Sequence, residues 1–317
     1  MTNITIAAVG DILMKGSIID SARTSKGGYS FAPVFHGVSR IIRKHDLAIG
    51  NLETTFSGRK LAGRKHRYER RSKKTRCPLF NCPDALAPVL KKAGFDVLTT
   101  ANNHSMDCGA AGLRRTLKVL DKNRLRHTGT SRSLKESRKL LVVRVKGIKV
   151  GILAYTIGTN RIPPPKPWLV NRIGERRMLA DLGRLRKRAD LIIVCLHFGQ
   201  EYVHVPNVRQ KRLVRLLFKH GANAVIGAHP HVVQPVAFAK VKDRLGVARK
   251  RLAAYSLGNF VSSPLFRNPY TLRGLILGFT VKKNRKGVTD IVNVRRYPTV
   301  VKIGKSGKRK TFRVVLR

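Results

Sequence analysis

Short apolar runs in this sequence end, one after another, on residues that bind cations or move protons. Asp11 follows the run 4–9, Asn51 and Glu53 follow 47–49, and Asn102-Asn103-His104 follows 97–100. His197 closes the run 191–196, and the run 224–226 leads into Gly-Ala-His229-Pro-His231. Neutral imidazoles, carboxylates and amide oxygens form a borderline donor set. It suits zinc, manganese or iron(II) far better than calcium, which takes oxygen alone. Two cations about 3.5–4 Å apart would clamp a phosphoryl or carbonyl oxygen and acidify a shared water, so no serine or cysteine nucleophile is required. A lone histidine after a strand is usually a hydrogen-bonded structural one. The convergence of five strand ends is what points to metal. His229 and His231, two apart in a segment read as extended, would aim both rings to one side.

Those ends need elements behind them. The runs at 4–9, 47–49, 97–100, 150–155, 191–196 and 224–226 are short, apolar and β-branched, and read as buried strands. Amphipathic stretches at 31–44, 83–92, 110–122, 175–188 and 208–220 read as helices, several ending before a glycine. The alternation predicts a layered α/β fold, in which functional groups collect at strand ends. After about residue 234 the helical period disappears; runs at 252–257, 275–281 and 311–316 read as strands completing the same domain. The expectation is a single domain over 1–317 with a β-rich, basic part at 261–317.

Composition bounds the partners. The 317 residues hold 66 Lys and Arg against 16 Asp and Glu, a net charge of +50, yet 42% hydrophobic residues exclude wholesale disorder. Such charge implies a polyanion: nucleic acid bound without sequence preference, an anionic membrane face, teichoic acid or an acidic polymer such as polyglutamate. The segment 58–76 holds ten Lys or Arg and one acid, Glu69, and reads as a mobile basic loop. The stretch 302–317 holds seven basic residues and no acid, with Phe312, Val314 and Leu316 alternating as in a strand. No signal peptide and no membrane span is read, so the expected location is cytoplasmic or peripheral to a membrane. Cys77, Cys82, Cys108 and Cys195 have neither disulfide-framework nor zinc-knuckle spacing and read as reduced and structural. No glycine belongs to a phosphate-loop or dinucleotide fingerprint. Pro163-Pro164-Pro165 with Trp168 stiffens a loop leaving a strand end near the same rim, as a surface connection or a pocket wall.

The ordered motifs GDILMKG, DLAIGNLETTFSG, FDVLTTANNHSMDCGAAGL, KVGILAYT, ADLIIVCLHFGQEY, GANAVIGAHPHVVQP and AAYSLGNF resemble the CapA family of capsule poly-gamma-glutamate synthesis proteins from about residue 4 to 260. That family is similar in turn to calcineurin-like metallophosphatases and five-prime nucleotidases. The resemblance implies a four-layer α/β/β/α sandwich of metallophosphatase type. It makes Asp11 the first metal ligand, Asn103 the amide ligand of the Gly-Asn-His motif, and His197, His229 and His231 the later ligands. Where phosphatases carry a bridging Asp, this chain has Asn51 with Glu53 two residues on. Either could bridge; a carboxylate neutralises two cations and an amide does not, which favours Glu53. Leu13 stands where phosphatases commonly have a histidine, so one metal lacks a nitrogen ligand and a one-metal protein stays open.

The resemblance gives His104 the role of protonating a leaving group or stabilising transition-state charge. Asp107 could accept its other N–H, which favours the imidazolium, or cap the helix that follows. Glu201, Tyr202 and Asn259 could line the substrate pocket, or support it from behind. The expected function is a metal-binding protein, with one or two manganese, iron or zinc ions, that makes, exports or anchors poly-gamma-glutamate or a similar anionic envelope polymer. A metal-dependent phosphoesterase or phosphodiesterase is the first alternative, and a sequence-independent polyanion or nucleic-acid binder the second. Family members usually carry an N-terminal membrane anchor, which this sequence does not show.

Overall fold

The computed structural model describes residues 1–61, 64–65, 68–242, 246, 248–307 and 309–317. Two mixed sheets face each other. The larger, eight-stranded among the described residues, runs in spatial order Arg309–Leu316, Thr289–Ser306, Arg273–Lys283, Thr2–Ile12, Leu47–Leu52, Val97–Thr99 and Arg126–Thr128, with Asn259–Val261 paired to Thr2–Ile12. The smaller runs Val236–Lys242, Ala248–Ala254, Ala224–Ala228, Leu191–His197, Ile148–Thr156 and Leu141–Val145.

Side-chain alternation along each strand builds the layers. Ile4, Ile6 and Ala8 enter the core between the sheets with Ile152, Ile193 and Ile226. Ala7 and Val9 face the other way, in the cluster that contains Val34, Phe35 and Val38 of the helix Ala32–Arg43. The helices Leu86–Ala93 and Gly109–Lys122 join that outer layer. The smaller sheet is covered by Met178, Leu182 and Leu185 of Glu175–Arg186 and by Leu213 and Leu217 of Val208–Lys219. The result is the expected α/β/β/α sandwich.

Parallel pairing then gathers the strand ends. Asp11 stands opposite Asn51, and Asn51 opposite Thr99, in one sheet; Thr156, His197 and Ala228 lie in register in the other. Gly10 sits where its strand crosses the segment 257–259. A Cβ there would lie 1.9 Å from the Gly258 carbonyl oxygen, and the next residue, Asp11, donates its N–H to that oxygen at 3.0 Å. Gly10→Ala is therefore expected to cost about 1–3 kcal/mol through backbone displacement, seen as a lower thermal midpoint.

The basic segment differs from the loop expected of it. Lys60–Leu61 pairs with Arg64–Lys65, and Glu69–Arg71 pairs with Pro78–Phe80; residues 62–63 and 66–67 of that segment lie outside the described residues. Glu69 anchors it by accepting the Gly16 N–H at 2.6 Å, and Arg70 donates to the Asp107 carbonyl at 3.2 Å. The described part of the segment thus carries short strand pairs and these two ties. At the other end, Phe312 and Val314 are buried in the cluster that includes Val34 and Phe35. All four cysteines are free. Among the described residues no helix is long and apolar enough to cross a membrane.

Candidate metal centre

Asp11, Glu53 and His197 bring one ligand atom each to within 4.8 Å of one another, and all three are buried. His197 is the hub. Its Nε2 lies 2.9 Å from Asn103 Oδ1, 3.1 Å from His229 Nδ1 and 3.5 Å from Glu53 Oε1. Four donor atoms of the types that bind divalent metal thus crowd one point. On the far side of the ring, Asp11 meets His231 Nδ1 at 3.3 Å, and its Oδ2 also accepts the His229 N–H at 3.3 Å.

Hydrogen bonds fix which atoms face the centre. Asn259 donates Nδ2 to the Thr271 carbonyl at 2.8 Å, which turns its Oδ1 toward His231 Nδ1 at 2.9 Å. His231 therefore carries a proton on Nδ1, which leaves Nε2 as the ring atom that could meet a metal ion. Asn259 is fully buried, so its place is behind His231, orienting the ring. Asn51 donates Nδ2 to Asp11 Oδ1 at 2.7 Å, while its oxygen accepts from Thr99 Oγ1 at 3.3 Å and Asn102 Nδ2 at 3.2 Å. The amide oxygen points away from the cluster, so Asn51 holds Asp11.

Glu53 stands apart. It is fully buried, and neither carboxylate oxygen has a hydrogen-bond partner. An unpartnered buried carboxylate is costly unless it meets a cation. The donor set and this orphaned group together fit a divalent ion.

Electrostatics agree. Burial, then the Asp11 charge, pushes Glu53 well above the ordinary carboxyl range. Burial would also raise Asp11, but hydrogen bonding from His231 and the charges of His197 and His231 outweigh it and hold Asp11 low. Burial, then its histidine neighbours, depresses His197 well below normal and brings His229 to about 4. Both rings are therefore neutral near pH 7, as ligands must be. His231 moves the other way: burial lowers it, but the Asp11 contact prevails and raises it.

His229 and His231 converge on the cluster by a route other than strand alternation. Their φ angles are 102° and 59°, both left-handed, in a turn after Ala224–Ala228. Left-handed backbone at two non-glycine residues is strained and marks functional segments.

Beside the cluster, His104 Nδ1 lies 2.7 Å from Asp107 Oδ2, and His104 Nε2 lies 4.0 Å from Glu53 Oε1. Asp107 Oδ2 also accepts the Phe80 N–H at 2.6 Å. The helix Gly109–Lys122 begins at Cys108 without a side-chain cap, so Asp107 is committed to His104 and Phe80. Burial raises Asp107 despite these contacts. Glu201 and Tyr202 line the loop after His197: the Tyr202 ring is 5.9 Å from that of His231, and the Glu201 charge reaches Glu53, His229 and His231. Leu13, in the position without a nitrogen ligand, is buried with Phe80 and Leu265.

Asn160 was not singled out in the sequence. Its Oδ1 accepts from Asn103 Nδ2 at 3.2 Å and its Nδ2 lies 3.3 Å from His104 Nε2. It lies in the loop after Ile148–Thr156, with left-handed φ at Asn160 (48°) and Arg161 (59°). A polar residue just past a strand end on the shared rim was the available signal.

Comparison with known proteins places this geometry. The family model described as bacterial capsule synthesis protein PGA_cap matches residues 5–264. The chain is 29% identical over 297 residues to the PGA biosynthesis protein CapA of Bacillus subtilis, covering 90% of this chain and 70% of that protein. It is 27% identical over 300 residues to the capsule biosynthesis protein CapA of Bacillus anthracis, covering 91% and 66%. Among solved structures it is similar to a candidate 5'-nucleotidase of Staphylococcus aureus (TM-score 0.56, 16% identity, 96% of this chain and 55% of that one). It is also similar to a 5'-nucleotidase precursor of Thermus thermophilus (TM-score 0.52, 12% identity, 94% and 54%). The chain thus spans just over half the length of these two structures, and they show the fold alone.

Proposed function

The chain belongs to the bacterial capsule synthesis protein family PGA_cap, and from that premise we propose that it acts on poly-gamma-glutamate or a similar anionic envelope polymer during synthesis, export or anchoring. Glu53 carries the proposal: a buried carboxylate with no hydrogen-bond partner among the described residues, set between Asp11, His197 and His104. Asp11, Glu53, Asn103, His197, His229 and His231 would hold one or two manganese, iron or zinc ions, with Asn51 and Asn259 orienting Asp11 and His231. A divalent ion there supplies Lewis acidity toward a carbonyl or phosphoryl oxygen.

The chain's own groups do the rest. Asp107 fixes the His104 ring through Nδ1 and leaves Nε2 toward the cluster, where it can give a proton to a departing nitrogen or oxygen. Glu201 and Tyr202 border the approach. Phosphoester hydrolysis would use the same groups and is the second reading, favoured by the mixed carboxylate, amide and imidazole donor set.

The charge of +50 supports a polyanion partner. Long polyglutamate is expected to bind with a steep salt dependence, losing up to about 10³-fold between 50 and 200 mM salt if about six carboxylates are neutralised. Nucleic acid binds in vitro by the same charge, without sequence preference. Incubating manganese-loaded protein with poly-gamma-glutamate, and following polymer length and retention on the protein, tests the proposal. Shortened polymer, or retention at about 0.15 M salt, supports it. Polymer of unchanged length that is also not retained on the protein contradicts the proposal.

A further inference from the structure

A cleft of about 540 Å³ lies between the start of Val236–Lys242 in the smaller sheet and the strands Arg273–Lys283 and Thr289–Ser306 of the larger. Its floor is apolar, with Val233, Val236, Leu275 and Pro298, and none of the described residues that line it is acidic. Arg273 and Arg296 stand over it. The Arg273 guanidinium lies 4.7 Å from the centre of the Tyr270 ring, and that ring meets His204 edge-on at 4.9 Å. Arg296 reaches from one sheet to the other, donating Nη2 to the Val236 carbonyl at 2.8 Å. Neither arginine is ion-paired among the described residues, and Tyr270 is half exposed.

Arg317 lines the cleft as well. The cleft also shares a wall with the metal centre. Val233 and Gln234 follow His231 in the chain, Gly258 bridges to Gly274 beside Asn259, and the loop carrying Tyr202 and His204 borders both.

We propose that this cleft is an anion subsite for a carboxylate-bearing stretch of polymer whose neighbouring stretch lies at the metal centre. Arg273 and Arg296 present planar forks that match carboxylates in pairs. The apolar floor and the Tyr270 ring receive the methylenes between them. This rests on the anionic-polymer reading above.

A synthetic gamma-linked glutamate oligomer is titrated into the full chain by calorimetry at about 0.15 M salt. Arg273→Lys with Arg296→Lys keeps every charge and removes both forks; binding is expected to weaken about tenfold. Arg176→Lys with Arg209→Lys, both exposed on the outer helices, serves as the control and should stay within about twofold. Tyr270→Ala, which also leaves the charge unchanged, should weaken binding several-fold. Equal affinity in the cleft and control variants, with the wild type binding, overturns the subsite and leaves the polymer reading standing. A wild type that binds no oligomer overturns both.

Discussion

Glu53→Gln is expected to raise the thermal midpoint of the metal-free protein and to abolish its response to manganese. The two effects have one cause. With Glu53 fully buried and unpartnered, its ionised form is disfavoured in the fold, and its pKa is raised above the ordinary 4.5 by burial and then by Asp11. Below that ordinary value Glu53 is protonated in both folded and unfolded chains and costs nothing extra. As pH rises past it, the unfolded chain ionises first, so the metal-free fold loses stability until the raised folded value is passed. The loss approaches about 1.4 kcal/mol per pH unit at most. Glutamine has no such loss, so the variant's advantage without metal should widen as pH rises above the ordinary carboxyl range. Metal reverses the order. Binding expels the proton, so the wild type gains with pH and the variant does not. Thermal scans with chelator and with manganese at several pH values check this; a variant that responds to manganese like the wild type contradicts it.

His104→Ala is expected to reduce turnover by about 10²–10⁴-fold while metal content stays unchanged. His104 Nε2 lies 4.0 Å from Glu53, and its other nitrogen is held by Asp107. It stands beside the donor cluster, outside the group whose ligand atoms converge. Poly-gamma-glutamate and bis(4-nitrophenyl) phosphate are the substrates to compare, each with manganese-loaded protein. Asp107→Asn should lose less, since the ring keeps a hydrogen-bond partner. Full turnover in His104→Ala would remove proton transfer by this residue from the account.

Much of the scaffold was legible in the sequence because burial on both faces demands continuous apolar strands. The runs before Asp11, Asn51, His197 and His229 are such strands, and the helices between them show a 3.6-residue apolar period. What was not legible depends on backbone and amide orientation. Nothing in the sequence shows that His229 and His231 take left-handed φ, so their convergence was expected from strand alternation instead. The choice between Asn51 and Glu53 turns on which way an amide faces, and that is set by Thr99 and Asn102, 48 and 51 residues away. Asn160 is contributed by a loop with no strong motif. The basic segment was read as a loop from its length and composition, which do not show the short strand pairs and the Glu69 and Arg70 ties of its described part.

The most direct measurement is metal stoichiometry by elemental analysis of protein purified without chelator, beside a variant carrying His229→Ala and His231→Ala. His229 is neutral at pH 7 because its pKa is held near 4, and His231, whose proton Asp11 favours, would release the Nε2 proton on binding a cation. One or two equivalents of manganese, iron or zinc in the wild type, lost in the variant, is the predicted result. A wild type that holds no metal even after manganese is added back, or a variant that holds as much as the wild type, would contradict the account.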